Sequence, residues 1–399
     1  MKINLKILSE NLVILFSLFP YVSFGIINTD SQPWILIFLS IYFIINRNFN
    51  YINIIFLWIF CIFLLLILII INATDAQLHF VLRALISYSI FFLAWFASCK
   101  IHSKRNPIII YIISSWIYII GGVLQVYGFD FLDWMSSNRD GGRTRGVTSF
   151  TPEPTYLGII LFLLIWILIF SLNKKDIKNN TLLKSFAWIT IISNFIGIIF
   201  LSQSSMVMLW IIFSLIFLSV FFISFKNTII GLFSFAVLFL YCYFYVNFEG
   251  WRAFLIAEQI YNIGYQGIID IIHLDWSINV RVANVIFPIM GVWKNGLLPG
   301  GIESYGEMST QLMPMWDYFF NRVTQSDKIW SFIGTFIYEL GIFGIIILFL
   351  ISAILKIENN WKIREIILIG FLLLSCVPLG VALVPLIFGS KIEKSKIKL

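Results

Sequence analysis

Apolar runs of membrane length make up most of this chain, and short polar connectors separate them. The candidate spans are about 11–28, 33–46, 52–72, 81–99, 107–127, 156–172, 186–201, 205–225, 228–246, 331–355 and 366–390. A transmembrane helix needs about 20 predominantly apolar residues, because the hydrocarbon core of a bilayer is about 30 Å thick. The pattern therefore predicts an all-α polytopic membrane protein, a single integral domain over 1–399, with about 11–12 transmembrane helices.

The charges of the connectors predict the orientation of these spans. Short connectors are rich in lysine, as at Lys174 and Lys175 and in the stretch 356–364. Since positively charged residues mark cytoplasmic loops, the amino terminus and these connectors should face the cytoplasm. Two long connectors, 128–155 and 247–330, then lie on the periplasmic face, where we expect two functional loops. The predicted localisation is the inner, cytoplasmic membrane, with the active face toward the periplasm.

The final apolar segment, 366–390, is interrupted by Pro378, Gly380 and Pro385. A single crossing here would place the basic tail outside, against the charge rule. Two short half-spans around Pro378-Leu379-Gly380 would keep the tail in the cytoplasm, and proline favours such a break. We therefore favour a Pro-interrupted hairpin over a single final span.

Composition excludes an ordinary soluble domain. Hydrophobic residues make up 60% of the chain and charged residues 12%, with a mean hydropathy of +0.94, whereas soluble domains average about a quarter charged residues. The formal net charge of +7 comes mainly from the predicted cytoplasmic connectors, so topology explains it and no nucleic-acid partner is expected. The four cysteines occur singly in or beside apolar runs, a spacing that predicts neither a disulfide nor a metal site.

The two predicted outer loops are rich in arginine, in contrast to the lysine-rich connectors. They contain Arg139, Arg143, Arg145, Arg252, Arg281 and Arg322 against only Lys294 and Lys328. The planar guanidinium suits bidentate contacts with phosphate or carboxylate groups. We therefore predict that the outer face binds an anion.

The first loop concentrates candidate chemistry before a predicted helix. Arg143 and Arg145 are alternate residues flanked by Gly141, Gly142 and Gly146. Glycines let the backbone approach a ligand closely. The two arginines form a candidate diphosphate clamp, with pairing to Asp133 and Asp140 as the alternative. Glu153 follows between two prolines. Its carboxylate is a candidate general base or an orienting partner for an arginine, and a favourable position at the helix dipole is the simpler alternative.

The second loop, roughly 80 residues long, is too long for a passive connector and too aromatic for a disordered one. Arg281 lies on a predicted helix that ends at the turn Gly300-Gly301, and such a helix would place Arg281 toward the first loop. Glu303, just after the turn, is the second candidate base, with a solvated carboxylate as the alternative.

Two ionisable residues lie within or at the edge of predicted spans. Arg83 is expected at the outer mouth of its span, where snorkelling of the side chain would explain it. Glu339 lies several residues inside the span 331–355. Because a charge is costly there, we expect Glu339 to have a partner on another helix or to face the outer cavity.

Several common signatures are absent from the sequence. The outer loops hold no Asp-x-Asp pair and no histidine cluster, and the short cytoplasmic connectors hold no glycine-rich phosphate loop. A transfer reaction would therefore use an already activated, membrane-delivered donor, with arginines in place of a metal and with no cofactor.

The residues around these loops resemble a known family. The stretch Arg143-Thr-Arg-Gly-Val-Thr-Ser-Phe-Thr-Pro-Glu-Pro-Thr-Tyr-Leu-Gly158 resembles the arginine-glycine and Glu-Pro-Ser segment of O-antigen and capsule repeat-unit polymerases of the Wzy type. The turn ending in Gly300-Gly301 and the stretch Tyr338-Glu-Leu-Gly-Ile-Phe-Gly344 look like the rest of that pattern, and the similar layout covers nearly the whole chain. Related O-antigen ligases carry a histidine at the outer end of the span matching 331–355. Here Lys328-Ile-Trp-Ser-Phe332 has none, which favours a polymerase.

The resemblance implies a glycosyltransferase of the bacterial inner membrane that acts at the periplasmic face. An undecaprenyl-diphosphate-linked oligosaccharide would be the donor and a second such unit the acceptor, with the lipid bilayer and a chain-length regulator as further partners. Arg143, Arg145 and Arg281 would bind the diphosphate, and Glu153 or else Glu303 would be the base. An O-antigen ligase that transfers to lipid A-core, and a transporter or flippase for the same lipid-linked sugar, are the alternatives.

Overall fold

The structure is a computed structural model that describes residues 4–23, 32–46, 78–129, 146–174, 179–222, 276–302, 304–316, 329–375 and 377–392, together with isolated positions between them. The described residues are mainly helical and contain no β-strand. The helices are α1 (Leu5–Leu18), α2 (Trp34–Ile45), α3 (Leu78–Lys104), α4 (Ile108–Val126), α5 (Pro154–Leu172), α6 (Thr181–Gly197), α7 (Ser205–Phe222), α8 (Trp276–Lys294), α9 (Tyr305–Leu312), α10 (Phe332–Leu340), α11 (Ile342–Ile357), α12 (Ile363–Leu374) and α13 (Leu383–Ser390). A π-helical segment, Ile198–Ser202, follows α6, and a 3-10 helix, Met313–Trp316, follows α9.

Four helical stretches of the described chain are long and apolar enough to cross a membrane, judged by length and composition. They are Val81–Lys104, Ile108–Val126, Pro154–Leu172 and Thr181–Ser202, and each overlaps a predicted span. Trp34–Ile45 and Ile342–Ile357 are apolar but shorter. The predicted spans 52–72 and 228–246 lie outside the described residues, so the total number of crossings stays a prediction.

Helix α5 occupies the interior of the bundle. Almost every side chain from Pro154 to Leu172 is buried. A helix that is apolar on all sides needs neighbours on all sides, and α4, α6 and α13 pack around it. The start of α5, and with it Glu153, therefore lies among other helices instead of at a lipid-facing edge.

Ionic contacts join the helix ends that are predicted to face the cytoplasm. Arg105, just after α3, donates through Nε to Oε2 of Glu10 in α1 at 2.9 Å. Lys391, just after α13, pairs with Glu365 in the first turn of α12. Burial lowers the pKa of Lys391, and the bond to Glu365 opposes that shift. These acids neutralise part of the positive charge at this end.

The segment 366–390 contains most of α12 and all of α13. The start of α12 and the end of α13 lie together. The pair of Lys391 with Glu365 joins the end of α13 to the start of α12. Nδ2 of Asn359, just before α12, also donates to the Phe388 carbonyl at 2.7 Å. The side of the membrane on which these ends lie stays a prediction.

The structure divides the predicted span 331–355 into α10 and α11. The break lies at Gly341, whose φ of 58° and ψ of −135° favour glycine. Just beyond the break, α11 packs back against α10 so closely that a Cβ on Gly344 would overlap the carbonyl oxygen of Phe336. Hydropathy did not indicate this break, because both helices are apolar.

Candidate functional site

The chain that follows Arg143 and Arg145 is anchored at Gly146. Its φ is 100°, and a Cβ there would lie 2.6 Å from the carbonyl oxygens of Leu201 and Ser202. The next amide, that of Val147, donates to the Leu201 carbonyl at 2.8 Å. Only glycine allows this close approach, so the π-helical segment holds the end of the first loop in place.

Gln125, near the end of α4, holds the next two residues of the loop. Its Oε1 accepts the backbone N–H of Ser149 at 2.6 Å, and its Nε2 lies 3.2 Å from the hydroxyl of Thr148. The Ser149 hydroxyl donates to the Tyr118 carbonyl at 2.9 Å. Because Gln125, Thr148 and Ser149 are all buried, these bonds satisfy polar groups that water does not reach.

Glu153 is the N-cap of α5, and Pro154 occupies the first turn. Proline is well suited there, because its φ is already helical and the N–H it lacks would have no partner within the helix. The Glu153 carboxylate accepts no capping hydrogen bond from the helix. The hydroxyl of Thr151 lies 2.8 Å from the Glu153 carbonyl and 2.7 Å from that of Thr148. The backbone that carries Glu153 is therefore fixed, and its carboxylate is not used to cap the helix.

Arg281 of α8 reaches the start of α5. Its Nη2 donates to Oγ1 of Thr155 at 2.9 Å, across 126 positions of sequence. A guanidinium has five N–H donors, and this bond is the one that the Arg281 guanidinium makes to the described residues. Thr155 lies two residues after Glu153, so one arginine of the second loop is held at the start of the helix that Glu153 caps.

Helices α8 and α10 pack side by side and run in the same direction. The Trp330 amide, just before α10, donates to Oδ1 of Asn284 at 3.0 Å. Farther along, a Cβ on Gly334 would lie 3.1 Å from Pro288, and one on Gly291 would lie 2.8 Å from the ring of Tyr338. Residue numbers rise together along the two helices, so α8 and α10 run parallel.

The glycine turn that ends α8 is bound to the break between α10 and α11. The amide of Gly300 donates to the Tyr338 carbonyl at 2.8 Å, and that of Gly301 to the Glu339 carbonyl at 3.3 Å. In the other direction, the Ile342 amide donates to the Leu297 carbonyl at 2.9 Å. The break frees main-chain groups of α10 and α11, and the turn pairs with three of them.

A separate apolar cluster supports this turn and α8. Its buried members are Ala283, Phe287, Tyr305, Met308, Leu312, Phe320, Ile329 and Tyr338. Burial raises the pKa of the Tyr305 phenol, and the neighbouring Tyr338 adds to the shift, so this phenol stays protonated at ordinary pH. The cluster gives the described part of the second loop a core of its own.

Of the five predicted site residues, the structure describes Arg281 and Glu153. Arg281 contacts Thr155, two residues from Glu153. Arg143, Arg145 and Glu303 lie outside the described residues, so their place in the site stays a prediction. Within the described part of the chain, no group of three His, Cys, Asp or Glu side chains is arranged to hold a metal ion.

Sequence reasoning missed two side chains that build this site. Hydropathy places Gln125 within the apolar span 107–127 and Thr155 at the end of the first loop, 128–155. The signal for Gln125 was an amide near the end of an otherwise apolar stretch, since a polar side chain there needs a partner. No comparable signal marked Thr155, because its role depends on a residue 126 positions away.

Comparison of the chain with protein-family models, with curated proteins and with solved structures gives no significant match. Fold and composition define the class: an α-helical membrane protein, with apolar helices long enough to cross a bilayer. Its two longest predicted connectors meet where Arg281 contacts the start of α5.

Proposed function

We propose that this protein is a glycosyltransferase that polymerises undecaprenyl-diphosphate-linked oligosaccharide units at the periplasmic face of the bacterial inner membrane. The product would be O-antigen or capsular polysaccharide, as expected from the resemblance to Wzy-type polymerases. The bond between Arg281 and Thr155 is the observation that carries the proposal. It joins the two arginine-bearing loops at the end of α5 where Glu153 lies.

The proposed reaction moves a glycosyl chain from one lipid to another. The hydroxyl oxygen at the non-reducing end of the acceptor unit bonds to the anomeric carbon of the donor. The bond between that carbon and the diphosphate oxygen breaks, and undecaprenyl diphosphate leaves with the electron pair. The hydroxyl proton passes to a carboxylate, for which Glu153 is the first candidate and Glu303 the second.

Arginine suits the charge that develops in this reaction. Negative charge accumulates on the diphosphate as the bond breaks, and a preorganised cationic donor can lower that barrier by roughly 3–4 kcal/mol. Arg281 bonds to Thr155 through one N–H. Toward the described residues its guanidinium has further N–H donors, which suit phosphate oxygens. Arg143 and Arg145 precede the anchored Gly146 and would supply the second side of the clamp.

The first test is a gel of surface polysaccharide from the host strain with the gene deleted and then restored. A polymerase predicts that the ladder collapses to core plus a single repeat and returns on restoration. Loss of the single-repeat band, with polymer stranded on its lipid carrier, would indicate a ligase. A flippase predicts repeat units that collect facing the cytoplasm, and an unchanged ladder would contradict both transfer reactions.

Arginine variants then test the site itself. Arg281→Ala should lower the polymerisation rate on the order of 100-fold or more, and Arg281→Lys should recover only part of it, because lysine keeps the charge but loses the planar fork. Arg143→Ala should show a similar loss. Lys294→Ala is the matched control, since Lys294 lies on the same helix and makes an exposed bond to Gln311 at 3.0 Å. Full activity of Arg281→Ala at normal protein level would reject this site.

A further inference from the structure

Glu339 has a partner on a distant helix. Oε2 of Glu339, near the end of α10, accepts a hydrogen bond from the hydroxyl of Tyr88 in α3 at 2.9 Å. Tyr88 is buried, and its ring meets that of Phe336 edge-on at 5.3 Å. Arg83, on the same helix as Tyr88, is close enough to act on the Glu339 carboxylate electrostatically. The acid is thus tied to one of the long apolar helices of the bundle.

The main chain at Glu339 is tied to the second loop. The carbonyl oxygens of Tyr338 and Glu339 accept the amides of Gly300 and Gly301. Glu339 therefore has its side chain on α3 and its backbone on the glycine turn. Movement of α10 against α3 would carry this turn with it.

The turn and α10 together set the position of α8. The ring of Tyr338 is so close to Gly291 and Gly300 that an added Cβ would lie 2.8 Å and 2.5 Å from it. Arg281 lies ten residues before Gly291, about 15 Å along the helix. At that distance a tilt of about 4° shifts the guanidinium by about 1 Å, a displacement that can cost on the order of 100-fold in rate.

We propose that Tyr88 and Glu339 are positioning residues, whose hydrogen bond fixes α10 to α3 and thereby holds Arg281 at the start of α5. The bond is far along the chain from the reacting groups and touches none of them. Its effect on rate rests on the proposed function, whereas its effect on the position of α8 does not. Two experiments therefore judge the two claims separately.

The structural experiment is a cross-link. Thr155→Cys and Arg281→Cys are combined in a chain whose four native cysteines are replaced by serine, and the pair is joined with a short bifunctional thiol reagent in membranes. Adding Tyr88→Phe should reduce the cross-linking rate several-fold. Glu339→Gln should leave it near the parent rate, because the amide oxygen still accepts from Tyr88. A rate unchanged by Tyr88→Phe would overturn the inference, whatever the protein catalyses.

The kinetic experiment is a double-mutant cycle on polymerisation by the full chain. Tyr88→Phe should lower kcat on the order of 10- to 100-fold with little change in KM, and Glu339→Gln should retain most activity. In an Arg281→Ala background, Tyr88→Phe should add almost nothing, because it acts through that arginine. Additive losses would show a general structural effect and would contradict positioning.

A second buried phenol gives the matched control. The Tyr111 hydroxyl lies 2.5 Å from Nε2 of His102, which is near the carboxyl end of α3, several turns beyond Tyr88. Tyr111→Phe also removes a buried hydrogen bond, but it does not touch α8 or α10. It should therefore leave the cross-link and the kcat unchanged. If Tyr111→Phe and Tyr88→Phe lower both to the same degree, the positioning role is rejected.

Discussion

Gly341→Ala tests whether the glycine turn and the break between α10 and α11 depend on each other. At this position φ is 58°, and an added Cβ would lie 2.6 Å from Leu297 O, Leu298 C and Pro299 N. All three are backbone atoms, so the turn itself would have to move. A flexible side chain in the same place could have rotated away at a smaller cost in free energy.

The magnitude follows from two contributions. Backbone strain of an L-residue at such a φ is of the order of 1–3 kcal/mol. Displacement of the turn also breaks the bonds from Ile342 N to Leu297 O and from Gly300 N to Tyr338 O, each worth about 0.5–1.5 kcal/mol net. We expect a loss of about 2–6 kcal/mol in the free energy of unfolding.

The assay is the thermal midpoint of the purified protein in detergent, compared with Gly370→Ala. Gly370 lies within α12, and its added Cβ would meet only Ile333 Cδ1 at 3.9 Å, so alanine there should be neutral or stabilise by up to about 1 kcal/mol. Gly341→Ala should melt clearly lower and give a shortened ladder. Equal midpoints for Gly341→Ala and the parent would refute the left-handed break and the docked turn.

Three further changes test other contacts. Gln125→Leu leaves the buried amide of Ser149 without its acceptor, so it should lower stability by about 1–3 kcal/mol in the same thermal assay, and an unchanged midpoint would contradict that bond. Gly146→Ala should shorten the polysaccharide ladder. Gly128→Ala is the control and should not, because Gly128 also has a positive φ but has open space around its Cβ. Ladders of equal length from the two variants would reject the close approach of Gly146 to the π-helical segment. Lys391→Met should lower the thermal midpoint, because the partly buried Glu365 carboxylate loses its ammonium partner. Adding Glu365→Met should restore part of the loss.

Hydrophobic length was sufficient to predict where the long helices lie. The expected span 81–99 falls within the helical stretch Val81–Lys104. The expected span 156–172 falls within Pro154–Leu172, which begins two residues earlier. An apolar run long enough for the bilayer has few alternatives to a helix, because every backbone group must be paired without water. Local sequence therefore decides this level of structure.

The expected span 331–355 shows where hydropathy is insufficient. Apolar residues predominate on both sides of Gly341, yet the helix breaks there. A lone glycine costs only about 1 kcal/mol in a helix, so the sequence around it does not select the break. The turn 297–301 selects it, by pairing with backbone groups on both sides of Gly341.

The chemical candidates were readable from the sequence, since residue type determines which groups can bind a diphosphate or accept a proton. Arg281 and Glu153 were identified in this way. Their proximity was not encoded locally: it depends on Thr155, on the register of α8 against α10, and on the bond between Tyr88 and Glu339 across 251 positions. The sequence by itself determined a helical membrane protein with arginine-rich connectors, because hydropathy and residue chemistry are local properties. Only the tertiary structure decided which of those residues meet, because contacts between distant segments depend on how the helices pack together.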